Sequence, residues 1–271
     1  MPQRDSFLNT LLVAAVLCVV CSLAVSSAAV ILRPRQEANE LLDQQKNVLD
    51  ATGLAMGEYG VPPSSLSRSQ IEELNLWISS ELVDLETGEI IEGGDAASYN
   101  MSEALSDSER SVAITDPEYD IGEPRRPKVM RVSFVKQPGS EKIQQVVLPV
   151  FGKGLWGTLY GYLAVKSDME TIQGITFYQH KETPGLGGEV DNPNWKRQWE
   201  GKKLYDDGEP AAEVKKGPAD KSDPYAVDGL SGATITSRGV QALLRYWSSD
   251  DGYGPFLRNM AEKLDVEETG A

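Results

Sequence analysis

No residue between Asp5 and Arg33 carries a charge, and from Leu11 to Leu32 the chain is continuously apolar or small. A helix of about 20 such residues crosses the hydrocarbon of a bilayer, so this run is long enough to span. A cleaved signal peptide is the competing reading, with Ser27-Ala28-Ala29 as its cleavage site. The apolar core of such a peptide covers only about 7–15 residues, and the greater length here favours an uncleaved single-pass anchor. The rest of the chain must then fold as a soluble part tethered at one end. Arg4 precedes the run and Arg33, Arg35 and Lys46 follow it. The positive-inside bias on its own puts the C-terminal side in the cytoplasm, but long domains cross largely regardless of that bias. Cys18 and Cys21 both lie in the run. They are open to two readings, a metal pair within the membrane or small apolar packing groups between helices.

With both cysteines in the span and His180 the only histidine, the soluble part can hold neither a Cys/His metal cluster nor a disulfide. A Ser-His-Asp hydrolase would rest on His180 alone. The formal charge of −15 argues against nucleic acid, whose phosphates attract basic patches, and against electrostatic docking on anionic lipid.

Arg35 to Ala51 reads as a helix with an apolar stripe of Ala38, Leu41, Leu42, Val48 and Leu49, stopped by Gly53. Pro62-Pro63 marks a turn or linker. Ser69 with Glu72 reads as a capping box that opens a short helix through Ile78, and Val83 to Ile91 as a hairpin around Glu86-Thr87-Gly88. From Glu81 to Glu123 there are thirteen acidic residues against one basic residue, Arg110, which reads as a solvated, irregular insert. After Arg131 the pattern turns to strands: Val132, Phe134, Val146, Leu148, Val150, Leu159, Tyr160, Tyr162, Leu163 and Val165 fall in β-rich runs. Pro138-Gly139 and Gly152 to Gly157 separate them. Clustered strands with few helices give an α+β domain with a mainly antiparallel sheet.

Two loops stand out. In Tyr178-Gln-His180-Lys-Glu182-Thr183-Pro184-Gly185-Leu186-Gly187-Gly188-Glu189, three glycines after a proline let backbone amides approach a planar or anionic ligand, or simply make a tight turn. In Asp228-Gly-Leu-Ser231-Gly232-Ala233-Thr234-Ile-Thr236-Ser237, small residues precede a helix marked by Val240, Leu243, Leu244 and Trp247. Thr236 or Ser237 is the natural N-cap. Thr234 then sits just before the helix start, where free amides and the positive dipole end favour a phosphate. An ordinary capped helix start fits these residues equally well. Neither loop has a Walker A or dinucleotide pattern.

Ser231-Gly232-Ala233-Thr234 followed by Ile-Thr236 resembles the flavinylation motif of the FMN-binding domain family. The likeness extends to His180-x-Glu-Thr-Pro-Gly-Leu-Gly, Asp191-Asn-Pro-Asn-Trp195, Gly201-Lys-Lys, Gly154-Leu-Trp-Gly157 and Gly252-Tyr-Gly-Pro-Phe256. With the single anchor, these are similar to the C subunit of the Na+-translocating NADH:quinone oxidoreductases. The likeness is dense from about Val146 to Leu257 and loose from Ser64 to Arg126. The related G subunit of the Rnf complex shares the flavin motif and anchor but usually lacks the tail after the motif helix.

The resemblance implies FMN joined through its phosphate to Thr234 by a flavin transferase outside the cytoplasm, with Asp228 part of the transferase's recognition pattern. Candidate flavin-ring contacts are Glu182, Thr183, Leu186 and Gly187. Trp156 is a further ring contact or a core residue, and Lys216 a charge near the flavin or a surface lysine. The implied role is an electron carrier with no catalytic group and no metal of its own. It would relay single electrons from an iron–sulfur centre in membrane subunits to a second covalent FMN in a neighbouring subunit. The complex oxidises NADH, reduces quinone and exports Na+. The implied setting is the inner membrane, single-pass, with the soluble part periplasmic. The implied domains are a 1–33 anchor, a 34–62 linker helix, a 63–130 acidic region and a 131–260 FMN-binding domain. The rival readings are a carrier like the Rnf G subunit, an anchored scaffold whose flavin motif is unused, and a hydrolase built on His180.

Overall fold

The computed structural model describes residues 7–115 and 120–269. Two compact units divide at Gln44 and Gln45. Helix α1 (Phe7–Thr52) makes up the described part of the first unit, and its last residues belong to the second. Its apolar stretch is long enough to cross a membrane and is not buried in the structure. The flanking Arg4 lies outside the described residues. The helix expected from Arg35 to Ala51 is therefore the continuation of the apolar one, with Pro34 inside it. Gly53, at φ 69°, ends it as expected, because only glycine takes the left-handed region without strain.

In the second unit the elements follow in order: α2 (Leu54–Tyr59), α3 (Arg68–Asn75), β1 (Ile78–Asp84), α4 (Met101–Ser106), β2 (Ser111–Ala113), β3 (Arg125–Pro127), β4 (Val129–Lys136), β5 (Ile143–Lys153), β6 (Thr158–Lys166) and β7 (Ile172–Gln179). After them come α5 (Pro193–Lys196), the short strands β8 (Tyr205–Asp206), β9 (Glu209–Pro210), β10 (Glu213–Val214) and β11 (Ala226–Val227), then α6 (Thr234–Ser248) and α7 (Gly254–Thr269).

Strands β1, β4, β5, β6 and β7 form one sheet in the order β1-β4-β5-β6-β7, antiparallel at every pairing. The α+β fold with a mainly antiparallel sheet is as the sequence implied. In β4 the alternation is visible residue by residue: Met130, Val132 and Phe134 are buried, with Arg131 and Ser133 between them half-exposed. Mid-strand residues of β5 and β6 are buried on both faces, as strands at a covered sheet centre must be. Helix α6 lies against β5. Trp247 meets the ring of Phe151 edge-on at 5.0 Å and donates its indole N–H to the Phe151 carbonyl at 2.7 Å. The helix comes so near that a Cβ at Gly239 would stand 2.3 Å from the Lys153 carbonyl oxygen, which reserves that position for glycine.

Two local expectations are corrected. The capping box belongs to Ser67 and Gln70, not Ser69 and Glu72: Ser67 accepts from the Gln70 amide and Gln70 Oε1 accepts from the Ser67 amide at 2.9 Å. That phase buries Ile71 and Leu74. The helix stops at Asn75, and Ile78 opens β1, whose register against β4 pairs Ile78 with Val135. The hairpin expected at Val83 to Ile91 is present in short form: Val83 bridges Ile90 antiparallel, and the Asp84 and Ile91 amides donate to the Glu89 and Leu82 carbonyls at 3.0 and 2.8 Å. The acidic stretch holds α4 and β2 between exposed loops, and its residues 116–119 lie outside the described residues.

Candidate functional site

The two glycine-rich loops meet, and the residue that joins them is Glu182. Its side chain is 5% exposed. Oε1 accepts the backbone N–H of Trp156 at 2.9 Å, and Oε2 accepts the Thr236 hydroxyl at 2.5 Å. A Cβ at Gly154 would stand 2.6 Å from Oε1, and one at Gly187 would stand 2.4 Å from Oε2. Both glycines are therefore demanded by the carboxylate. Upstream, His180 Nδ1 accepts the Glu182 amide at 3.1 Å, and its Nε2 bonds Asp191 at 2.7 Å, so the histidine orients the loop. Across the gap Gly232, at φ 70°, lets Leu186 come close: a Cβ there would stand 2.9 Å from Leu186 Cδ2.

Helix α6 starts two to three residues earlier than its expected caps. Thr234 is its first residue, Ala233 occupies the N-cap position, and no side chain caps the turn. The reason lies in tertiary structure. The Thr236 hydroxyl is taken by Glu182, and Ser237 Oγ accepts the Leu230 amide at 3.0 Å. Thr236 faces the other loop and Ser237 turns back on its own, and the first-turn amides are left without an intrahelical acceptor.

On one side of this acceptor loop lies a cleft of about 540 Å³, lined by Lys215, Lys216, Asp228, Ser231, Gly232, Thr234 and Arg238 among others. Lys215 is already paired with Glu213 and Asp223. Its hydrogen bond to Glu213 raises its ammonium above the ordinary lysine range, burial opposes that, and the charges of Glu213 and Asp223 add to it. Among the described residues, Lys216 and Arg238 have no carboxylate partner. Leu155, Trp156, Leu186 and Ile235 are exposed apolar side chains of the segments that Glu182 joins, with Trp156 at 65%.

Of the residues singled out from sequence, Thr234, Ser231, Gly232, Asp228 and Lys216 share the cleft. Ala233 is buried beneath. Glu182 and Gly187 are buried and support the loops from inside, while Thr183 and Leu186 are exposed and do not line the cleft. Trp156 is exposed, not a core side chain. Trp195 and Trp199 are buried and pack edge-on at 5.9 Å. Sequence reasoning missed Arg238 and the joining role of Thr236. Arg238 was findable: on a helix starting at Thr234 it stands one turn on, on the same face.

A family model described as an FMN-binding domain matches residues 154–249, which takes in both loops and the cleft. The chain is 43% identical to the Na+-translocating NADH-quinone reductase C subunit of Yersinia pestis, over 96% of this chain and 95% of that one. With the C subunit of Vibrio alginolyticus it shares 44% identity over 96% and 97%. The crystal structure of Shewanella oneidensis NqrC superposes with a TM-score of 0.73 at 32% identity, covering 84% of this chain and 99% of that one.

Proposed function

The chain belongs to the family of Na+-translocating NADH-quinone reductase C subunits and carries an FMN-binding domain, and on that premise we propose that it is a membrane-anchored flavoprotein subunit of such a complex, holding FMN as a phosphoester on Thr234. The observation that carries the reading is the head of α6. Thr234 is exposed at the first helical position, no side chain caps that turn, and Lys216 and Arg238, without carboxylate partners among the described residues, share its cleft.

These residues fit a flavin nucleotide. First-turn amides and the helix dipole favour a phosphate at Thr234, and Lys216 and Arg238 supply countercharge. Gly232 keeps the approach free of side-chain atoms. Leu155, Trp156, Leu186 and Ile235 offer exposed apolar surface to the flavin ring. Thr183 and Gly187 belong to the loop that presents Leu186. Glu182 holds the assembly from below. When bound, FMN supplies one- and two-electron redox chemistry; the chain's part is to hold it in place and in reach of its partners.

A monophosphate ester needs activation to become a diester, and the phosphoanhydride of a flavin dinucleotide would supply it. The Thr234 oxygen would bond to the flavin-side phosphorus as the phosphoanhydride breaks, with the nucleotide leaving and the hydroxyl proton passing to a base of the flavin transferase. No electrons change hands in that step. In the assembled complex the chain relays single electrons between an iron–sulfur centre and a second covalent FMN in neighbouring subunits, coupled to Na+ export. Residues 1–33 anchor it in the inner membrane, 34–62 link, 63–130 form the acidic region and 131–260 the flavin domain on the periplasmic side.

The test is the full chain purified from cells that also carry a flavin transferase, run on a denaturing gel under ultraviolet light. The expected result is a fluorescent band that Thr234→Leu abolishes. A dark band for the unmutated chain, or a bright one for Thr234→Leu, overturns the assignment.

A further inference from the structure

Asp228 opens the acceptor loop, and its hydrogen-bonding groups are all engaged within the chain. Its amide donates to Gln198 Oε1 at 3.0 Å, and its carbonyl accepts the Trp195 indole N–H at 2.8 Å. Oδ1 accepts the Ala219 amide at 2.7 Å and Oδ2 accepts Gln198 Nε2 at 3.1 Å. One half-buried residue therefore ties three segments: the Pro193–Trp199 turns, the loop after Lys215 that walls the cleft, and the loop that presents Thr234. The joint has no slack beside it. The next residue, Gly229, donates to the Gly217 carbonyl at 2.8 Å, and a Cβ there would stand 2.1 Å from the Lys215 carbonyl oxygen.

The chemistry of the joint selects a carboxylate. Two N–H donors converge on two different oxygens, so each oxygen must accept. An asparagine offers one oxygen and would turn its own NH2 against one of the two donors. A glutamate reaches too far for a contact this short.

We infer that Asp228 is a positioning residue, which promotes flavin attachment by fixing the shape of the acceptor loop and not by touching the transferase. The inference rests on the reading of Thr234 as the attachment site. Misplacing a reacting hydroxyl by about 1 Å costs the transition state far more than the encounter. The defect should therefore fall on kcat and spare KM.

The experiment uses the full chain, a flavin transferase and a flavin dinucleotide, with Asp228→Asn, Gln198→Leu and the double variant. Each single variant should lower kcat for flavin incorporation roughly ten- to hundredfold with KM for the chain unchanged. The double variant should do no worse than the poorer single one, because both break the same joint. A raised KM in Asp228→Asn together with normal incorporation in Gln198→Leu overturns the inference in favour of direct recognition. Amide hydrogen exchange on the flavin-free chain reads the joint independently. The Ala219 and Asp228 amides should exchange faster in both variants, and unchanged exchange overturns the proposal whatever the kinetics. Faster exchange in a chain whose unmutated form takes up no flavin instead overturns the reading of Thr234, and the inferred effect on attachment with it.

Discussion

Helix α6 contains two regions built on opposite rules. In its body Val240, Leu243, Leu244 and Trp247 recur at helical spacing and are fully buried against β5 and its neighbours. In its head Thr234, Thr236 and Ser237 carry three hydroxyls, and each has a different fate: exposed, bonded to Glu182, bonded to Leu230. The body needs apolar volume of about the right shape. The head needs specific atoms, because its function depends on which hydroxyl is left over. Stability and attachment chemistry are therefore adjacent in sequence yet separable by mutation.

The sharpest separation is expected from Thr234→Leu, which should remove covalent flavin entirely while shifting thermal unfolding by less than about 0.5 kcal/mol, the usual range for an exposed site. Flavin fluorescence after denaturation and a melting curve on the same sample read both. Leu243→Ala should do the reverse. A buried leucine truncated to alanine costs about 2–5 kcal/mol, visible in a denaturant midpoint, while the fraction that remains folded still accepts flavin. Glu182→Ala tests the seam between the regions. It strands the buried Thr236 hydroxyl, at about 1–3 kcal/mol, and releases the part-buried Trp156 amide, and should lower both stability and flavin incorporation. A stability loss with normal incorporation would show that Glu182 serves the body alone. The smallest effect belongs to Arg238→Gln. In a Thr234→Val background, FMN bound without a covalent bond should weaken about two- to fivefold by fluorescence titration, the scale of an exposed ion pair, with riboflavin binding unchanged. An equal loss for riboflavin would remove Arg238 from the phosphate side.

The body was legible in sequence because its signals are periodic and local. Alternation in Val132 and Phe134 marks a strand, and the spacing of Val240, Leu243, Leu244 and Trp247 marks a helix. Strand β7 was missed because Gly174 interrupts its pattern, and that glycine answers to a remote neighbour: a Cβ there would stand 2.5 Å from the Ala51 carbonyl oxygen. The loops of the head were visible as glycine-rich motifs, but their wiring was not. Thr236 reads as a helix cap until Glu182, far off in sequence, claims its hydroxyl. Ser67 and Ser69 both fit a capping box, and only the burial of Ile71 and Leu74 decides between them.

The pairing of β4 to β7 follows chain order, so each hairpin can close as soon as its second strand exists. The docking of α6 cannot: Trp247 reaches back to Phe151, and Tyr253 donates its hydroxyl to the Pro149 carbonyl at 2.7 Å. Contacts of such long sequence separation form late, because the intervening chain must be closed first. During synthesis from the N-terminus, the head of α6 is thus among the last parts to take shape. A nascent or truncated chain presents Thr234 in no fixed geometry, so a flavin on that residue is in effect a receipt for a finished fold.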